Sequence, residues 1–187
     1  MGFRKTAVAL TVLALALAAT GCKARERYLN AREAYDASRP LICYEDFGRY
    51  YFDAGWVEDG SGDPASHSYC LAEDIDNPDR PYTVTVTYDE TDDSHGDKYM
   101  FGDIEYTALV EEYGEDAVTV TGNGGFDDNG FASFEIRTDD GCIYRWYLIN
   151  DYGYVLFELT ADDEDYVQQH GLSDAVDSAF CTFHFER

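Results

Sequence analysis

Two acidic loops carry the side chains best suited to binding a metal ion. The candidate ligands are Asp74, Asp76 and Asp79 in the first loop and Asp92, Asp93 and Asp97 in the second. The first loop is spaced superficially like the oxygen ligands of a calcium-binding loop, but it contains Pro78 and lacks the glycine and terminal glutamate of an EF-hand. The second loop adds His95, and Gly96 allows a tight turn. These loops predict either weak calcium binding or a purely structural and solvating role.

The histidines do not fall into a catalytic motif. They are His67, His95, His170 and His184. The sequence contains no Gly-x-Ser-x-Gly, no His-Glu-x-x-His and no glycine-rich phosphate loop. Carboxylate pairs for glycoside cleavage can be assembled from almost any acidic surface, so their abundance carries little information. We therefore expect a protein that is not an enzyme, with a hydrolase as the alternative.

Aromatic residues are concentrated in one predicted strand. Because successive residues of a strand point to opposite faces, Tyr144 and Trp146 share one face and Tyr147 takes the other. One of these sets belongs to the core. The other set, if helices leave it uncovered, forms an aromatic patch in an acidic field that suits a cationic or protein ligand. The alternative is that helices cover both faces.

The first 22 residues have the layout of a secretory signal peptide. Arg4 and Lys5 precede an apolar run that is too short to cross a bilayer comfortably. The segment Ala19-Thr-Gly-Cys22 resembles the lipobox of bacterial lipoproteins, with Ala19 where Leu is more usual. This resemblance implies that residues 1–21 are cleaved and that Cys22 is acylated, which anchors the protein to the outer side of a bacterial cell membrane. The alternative is a secreted protein that is cleaved nearby and keeps Cys22 free.

The cysteines that remain form an even set, which in an exported chain predicts two disulfides. They are Cys43, Cys70, Cys142 and Cys181. Three pairings are open, and we favour Cys43–Cys70 with Cys142–Cys181 because each closes a moderate loop within one half of the chain. A zinc site is not expected, since no Cys-x-x-Cys spacing occurs.

The charge is strongly negative, with 38 acidic against 13 basic side chains and a formal net charge of −25. Such a charge repels nucleic acid and therefore excludes DNA or RNA as a partner. It is compatible with a cationic ligand, a basic protein or divalent ions, although solubility alone also explains it. Lys23, Arg25 and Arg27 follow the predicted anchor and attract an anionic membrane surface. We predict a basic stalk at residues 22–40 and a single acidic domain at residues 41–187.

Hydrophobic periodicity predicts an α+β domain built on an antiparallel sheet. Val84 and Val86 alternate with threonines in one clear strand, and an earlier strand over residues 43–52 offers Phe47, Tyr50 and Phe52 for burial. A meander of four strands is separated by turns rich in Gly, Asn and Asp, as hairpins require. The predicted strands of this meander are Ala117–Thr121, Phe131–Arg137, Cys142–Ile149 and Tyr154–Thr160. The predicted helices are Ile104–Tyr113, which closes at Gly114, and residues 162–179, with a kink at Gly171.

This order of elements resembles the PsbP-like fold, which occurs in an extrinsic photosystem II subunit and in small bacterial lipoproteins. The matching pieces include the aromatic strand that ends in a turn with Trp (Tyr51–Trp56), the helix before the meander, and a terminal helix ending in Asp177-Ser-Ala-Phe180. The resemblance implies an antiparallel sheet sandwiched between helices. It also implies an accessory role, which in the photosystem subunit helps to retain ions. We therefore expect a lipid-anchored, non-catalytic accessory or binding module. The alternatives are a calcium-binding accessory protein and a cell-envelope hydrolase.

Overall fold

Alternating buried and exposed side chains build most of this chain into short antiparallel strands. The computed structural model describes residues 39–60, 65–90, 96–126 and 128–186. Residues 22–38 of the predicted basic stalk, including Cys22, lie outside these ranges, and its last residue, Pro40, belongs to β1. The strands are β1 (Pro40–Glu45), β2 (Gly48–Ala54), β3 (Trp56–Glu58), β4 (Ser66–Leu71), β5 (Tyr82–Glu90), β6 (Val118–Phe126), β7 (Asn129–Thr138), β8 (Gly141–Ile149), β9 (Gly153–Ala161) and β10 (His184–Phe185). The helices are α1 (Phe101–Tyr113), α2 (Glu164–His170) and α3 (Leu172–Cys181).

The strands form two antiparallel sheets. The small sheet has the order β1-β2-β10, and the large sheet has the order β3-β4-β5-β9-β8-β7-β6. Strands β6 to β9 are neighbours in chain order, so the predicted meander is confirmed. Strand β5 pairs with β9, for example Val84 with Leu159, and this joins the meander to the first half of the domain. Among the helices of the described residues, none has the length and apolarity needed to cross a bilayer.

Helix α1 covers one face of the large sheet. Phe101 and Leu109 of the helix pack into a buried cluster with Phe134 of β7 and Tyr147 of β8. The helix starts three residues before the predicted position and ends, as predicted, at Tyr113. It stops there because Gly114 adopts a φ of 94°, a conformation that glycine accepts without strain.

The small sheet and helix α3 cover the other face of the large sheet. Tyr50 and Phe52 point inward from β2, and the Tyr50 ring lies 5.1 Å from the ring of Phe157 on β9. Helix α3 packs against β2 and β9 and buries Leu172 and Val176. The predicted burial of the aromatic residues in this segment is confirmed. The domain is therefore an α+β sandwich of antiparallel sheets and packed helices, as predicted.

Two local predictions are wrong. The strand predicted over residues 43–52 is a hairpin, in which β1 and β2 are joined by a turn just before Gly48. A side chain at Gly48 would collide with the ring of Phe183, so glycine allows β10 to approach β2. The turn predicted at Gly122–Gly125 lies inside strand β6. The Phe131 ring of β7 packs over Gly122 and Gly124, where any Cβ would approach it closely.

The two predicted disulfides are not present in the described residues. Cys43, Cys70, Cys142 and Cys181 are free thiols. The thiol of Cys43 interacts with the Tyr69 hydroxyl, whereas Cys70 follows Tyr69 in β4 and must point to the opposite face. Cys142 is buried within β8, and Cys181 is exposed at the end of α3.

Candidate functional site

The first acidic loop forms hydrogen bonds within the domain. Asp74 accepts a hydrogen bond from the Tyr82 hydroxyl at 2.9 Å, and the Asp79 amide donates to the Asn77 side chain at 3.1 Å. Within the described ranges, no group of three His, Cys, Asp or Glu side chains is arranged to hold a metal ion. The predicted ligands Asp74, Asp76 and Asp79 are therefore not brought together, because their positions serve the turn after β4.

The second acidic loop is described only in part. Asp92, Asp93 and His95 lie outside the described residues. Asp97 accepts a hydrogen bond from the Tyr99 amide at 2.8 Å and so organises the turn that leads into α1. Calcium binding by this loop stays a prediction.

The aromatic residues Tyr144 and Trp146 of β8 are largely covered by the rest of the domain rather than exposed to solvent. Tyr144 and Trp146 share one face, as predicted, and their rings stack at 6.0 Å with an interplanar angle of 16°. Trp146 is only 7% exposed, and Tyr144 is half-buried. Tyr147 points to the opposite face and donates a hydrogen bond to Glu105 of α1 at 2.6 Å. The pair therefore does not offer the predicted binding patch, because the Trp146 ring is covered.

A histidine with two carboxylates links the two sheets. His67 of β4 lies 3.0 Å from Glu45 of β1 through Nε2 and 3.1 Å from Glu58 of β3 through Nδ1. Burial raises the pKa of Glu45, and the neighbouring Glu58 adds to this effect while His67 opposes it. Both ring nitrogens of His67 are engaged by carboxylates. The cluster therefore connects the small sheet to the large sheet and leaves neither nitrogen open to a substrate.

An open groove lies on the outer face of the small sheet. It has a volume of about 590 Å³, which falls in the range of small-molecule sites. We call it the small-sheet groove, and its lining includes Pro40, Ile42, Arg49, Tyr51, Cys181, Thr182 and His184. It brings together the start of the domain (β1 and β2) and its end (the C-terminus of α3 and β10).

The alternation of β2 explains why the groove is lined this way. Tyr50 and Phe52 point into the core, so Arg49 and Tyr51 must point outward. Thr182, which follows α3, accepts a hydrogen bond from the Tyr51 amide at 3.0 Å and donates one to the Ala179 carbonyl at 2.7 Å. Thr182 therefore fixes the end of α3 beside β2, where it forms one wall of the groove.

Apolar side chains are unusually exposed in this groove. Ile42 is 59% exposed and Tyr51 is 46% exposed. These two residues are direct partners in the β1–β2 register, so their side chains are neighbours on the same face. Two large apolar side chains thus lie side by side on an open face of the sheet.

The groove also contains an arginine with no counter-charge. The other lysines and arginines between Leu41 and Glu186 form the ion pairs Arg80–Asp59, Lys98–Asp151, Arg137–Glu135 and Arg145–Glu158. Arg49 is exposed and, among the residues that the structure describes, forms no ion pair. Its partner in the β2–β10 register is His184, which is also exposed. An anionic group in the groove would therefore meet Arg49 without displacing a carboxylate of the protein.

Comparison with known proteins agrees with this architecture. The structure is similar to the solution structure of cyanobacterial PsbP (CyanoP) from Synechocystis sp. PCC 6803, with a TM-score of 0.51 and 13% identity over 82% of this chain and 96% of that chain. The chain has a PsbP-like fold. A crystal structure from Bacteroides thetaiotaomicron VPI-5482 has a TM-score of 0.40 and 11% identity, covering 81% of this chain and 50% of that chain. No family model matches the sequence, and no curated protein matches it.

The small-sheet groove of this PsbP-like domain was missed by the sequence analysis, although part of its signal was visible. The predicted burial of Tyr50 and Phe52 already places Arg49 and Tyr51 on the outside of the same strand. The contribution of Thr182 was not visible, since it depends on where the last helix ends in three dimensions. His184, which belongs to no catalytic motif in the sequence, lies on the edge strand β10.

Proposed function

We propose that this protein is a lipid-anchored accessory module of the bacterial cell envelope, which binds a ligand through its PsbP-like domain and catalyses no reaction. The observation that carries the binding role is the small-sheet groove. There, exposed apolar side chains lie next to an arginine whose charge is not used by the fold. The other lysine and arginine side chains that the structure describes between Leu41 and Glu186 form ion pairs, so the Arg49 charge is available to a ligand.

The surroundings of two buried thiols and of His67 support a non-catalytic role. Burial raises the pKa of the Cys43 thiol to about 12 and that of the Cys70 thiol to about 11, so both are protonated and unreactive at neutral pH. The ring nitrogens of His67 are both held by glutamates. These groups are therefore suited to holding the sheets together rather than to attacking a substrate.

The anchor is supported by the sequence alone. The lipobox-like segment that ends at Cys22 is followed by a stalk with three early cations, Lys23, Arg25 and Arg27. One lipid group holds a protein only marginally, and each nearby cation adds about 1 kcal/mol on an anionic membrane. Acylated Cys22 and the basic stalk together would give stable attachment, with the acidic domain directed away from the surface.

The proposal is tested by expressing the full chain in a bacterial host that processes lipoproteins. Mass spectrometry of the mature protein should find Cys22 as an acylated N-terminal residue, and fractionation should recover the protein with membranes. Cys22→Ser should abolish acylation, whereas the matched variant Cys181→Ser should leave it intact. An unacylated mature protein, or wild-type protein recovered in the cytosol, would contradict the anchor.

A further inference from the structure

We propose that the small-sheet groove binds a small amphiphile with an anionic head group and an apolar chain, of the fatty-acid class. This inference rests on the proposed function as a binding module, but it does not require the anchor. The head group would meet Arg49, and the chain would lie against Ile42 and Tyr51.

The groove has two chemically different ends. Arg49 and Tyr51 are two residues apart in β2 and therefore point to the same face. Ile42 is the register partner of Tyr51, and His184 is the register partner of Arg49. The face thus changes from apolar at the Ile42–Tyr51 pair to cationic at Arg49 over one strand repeat, roughly 7 Å. A ligand that satisfies both ends must carry an apolar body and an anionic group close together.

Because the domain is strongly acidic, a preference for an anionic ligand is expected at the small-sheet groove and not over the rest of its surface. A protein with a net charge of −25 attracts cations over most of its surface. Arg49 differs from the other lysines and arginines described between Leu41 and Glu186, since those form ion pairs with Asp or Glu. A guanidinium can hold a carboxylate with two parallel hydrogen bonds, which is stronger and more directional than a single neutral bond.

The size of the groove favours a small molecule over a macromolecule. A stable protein–protein interface uses about 20–30 residues on each side, whereas this face exposes two large apolar side chains, Ile42 and Tyr51, within a volume of about 590 Å³. A second copy of the chain is disfavoured, because two strongly anionic domains repel each other. The same repulsion disfavours an anionic bilayer surface.

The test compares two amphiphiles of equal chain length and opposite charge. Full-length Cys22→Ser protein, which cannot be acylated, is titrated in a calorimeter with decanoate and, separately, with decyltrimethylammonium, both below their micelle concentrations. We expect decanoate to bind about tenfold more tightly, although the protein as a whole is anionic. Tighter binding of the cation, or equal binding of the two, would overturn the proposal.

Variants locate the binding. Arg49→Gln should weaken decanoate binding about tenfold, the effect of one charge-assisted hydrogen bond, and should not weaken binding of the cation, which the guanidinium repels. Ile42→Ser should weaken both amphiphiles. Arg137→Gln removes an equal charge from an exposed, ion-paired arginine and should change decanoate affinity less than about twofold. Thermal unfolding of each variant shows that the fold is retained.

Other outcomes are equally informative. Decanoate binding that survives Arg49→Gln unchanged places the ligand elsewhere and overturns the proposal. Binding of the protein to anionic vesicles, with no binding of monomeric decanoate, makes a bilayer surface the occupant and also overturns it. Because the protein in this experiment cannot be acylated, a failure here leaves the anchor unaffected. A failure to find acylated Cys22 likewise leaves this test valid.

Discussion

The described thiols differ sharply in their surroundings. Cys43, Cys70 and Cys142 are buried, and burial raises the pKa of each. Cys181 is exposed at the end of α3, beside the small-sheet groove. Since the thiolate is the reactive form, the three buried thiols should be almost inert in the folded protein.

Thiol titration checks this arrangement. With Ellman's reagent at pH 8, we expect one described thiol to react quickly in the native protein, and Cys181→Ser should abolish that reaction. After unfolding without reductant, Cys43, Cys70, Cys142 and Cys181 should all titrate. If the disulfides Cys43–Cys70 and Cys142–Cys181 formed, none of these four thiols would titrate under that condition.

The buried Glu45 carboxylate should make stability depend on pH. Burial and Glu58 raise its pKa in the folded state, although His67 opposes this. The folded state therefore holds the Glu45 proton to higher pH than the unfolded state does, and stability falls as pH rises through this window. Glu45→Gln has no ionisable group at this position, so this loss of stability does not occur in the variant. The free energy of unfolding of the variant should therefore rise relative to that of wild type as pH increases from about 4 towards neutral.

Urea unfolding of both proteins across this pH range measures the difference. Subtracting the two curves removes the effect of the distant carboxylates, which titrate alike in both proteins. Glu111→Gln, at an exposed position of α1, is the matched control and should run parallel to wild type. A stability difference between Glu45→Gln and wild type that falls as pH rises would show that the His67 ion pair outweighs burial.

At the scale of elements, β6 is a sheet edge without charged side chains. It is the last strand in the order of the large sheet, and none of its nine residues is charged, in a chain with 27% charged residues. Val120 on this strand is 44% exposed. Natural edge strands usually carry charges or prolines that block pairing with another chain. Here the bulge between Val120 and Gly122 is one protective feature, and the net charge of the protein is another.

Reducing the net charge of the protein should allow β6 to pair with other copies of the chain. Near pH 4, where carboxylates become protonated, we expect the protein to aggregate through β6. Val120→Lys should slow aggregation, measured by light scattering and thioflavin fluorescence. Thr160→Lys adds the same charge to an exposed position of the interior strand β9 and should have a much smaller effect. Equal protection by both variants would mean that charge alone, and not the edge, controls aggregation.

Elements with strong local patterns could be predicted from the sequence, and junctions between distant elements could not. The meander and α1 were recognised because alternation and turn residues lie close together in the chain. The break at Gly171 was also recognised, and this residue separates α2 from α3 with a φ of 60°. The hairpin before Gly48 was missed because its need for glycine comes from Phe183, which is distant in sequence. The small-sheet groove was missed for the same reason, since both ends of the domain line it.

At the scale of the whole molecule, self-repulsion is the main consequence of a net charge of −25. Like charges spread over a compact domain favour expansion, and salt screens them. The screening length falls from about 10 Å at 0.1 M ionic strength to about 3 Å at 1 M. Sodium chloride should therefore raise the melting temperature of the domain, a shift that differential scanning calorimetry measures.

A calcium site would raise the melting temperature by more than the screening effect of salt does. Asp74 is already bonded to Tyr82, and no metal-binding group exists within the described ranges. At equal ionic strength we therefore expect the first loop to give calcium chloride no advantage over magnesium chloride in raising the melting temperature. Asp76→Asn with Asp79→Asn should leave the calcium response unchanged, because the first loop is ordered by its own hydrogen bonds. A calcium-specific rise at submillimolar concentration that this double variant removes would show that these carboxylates converge on the ion after all.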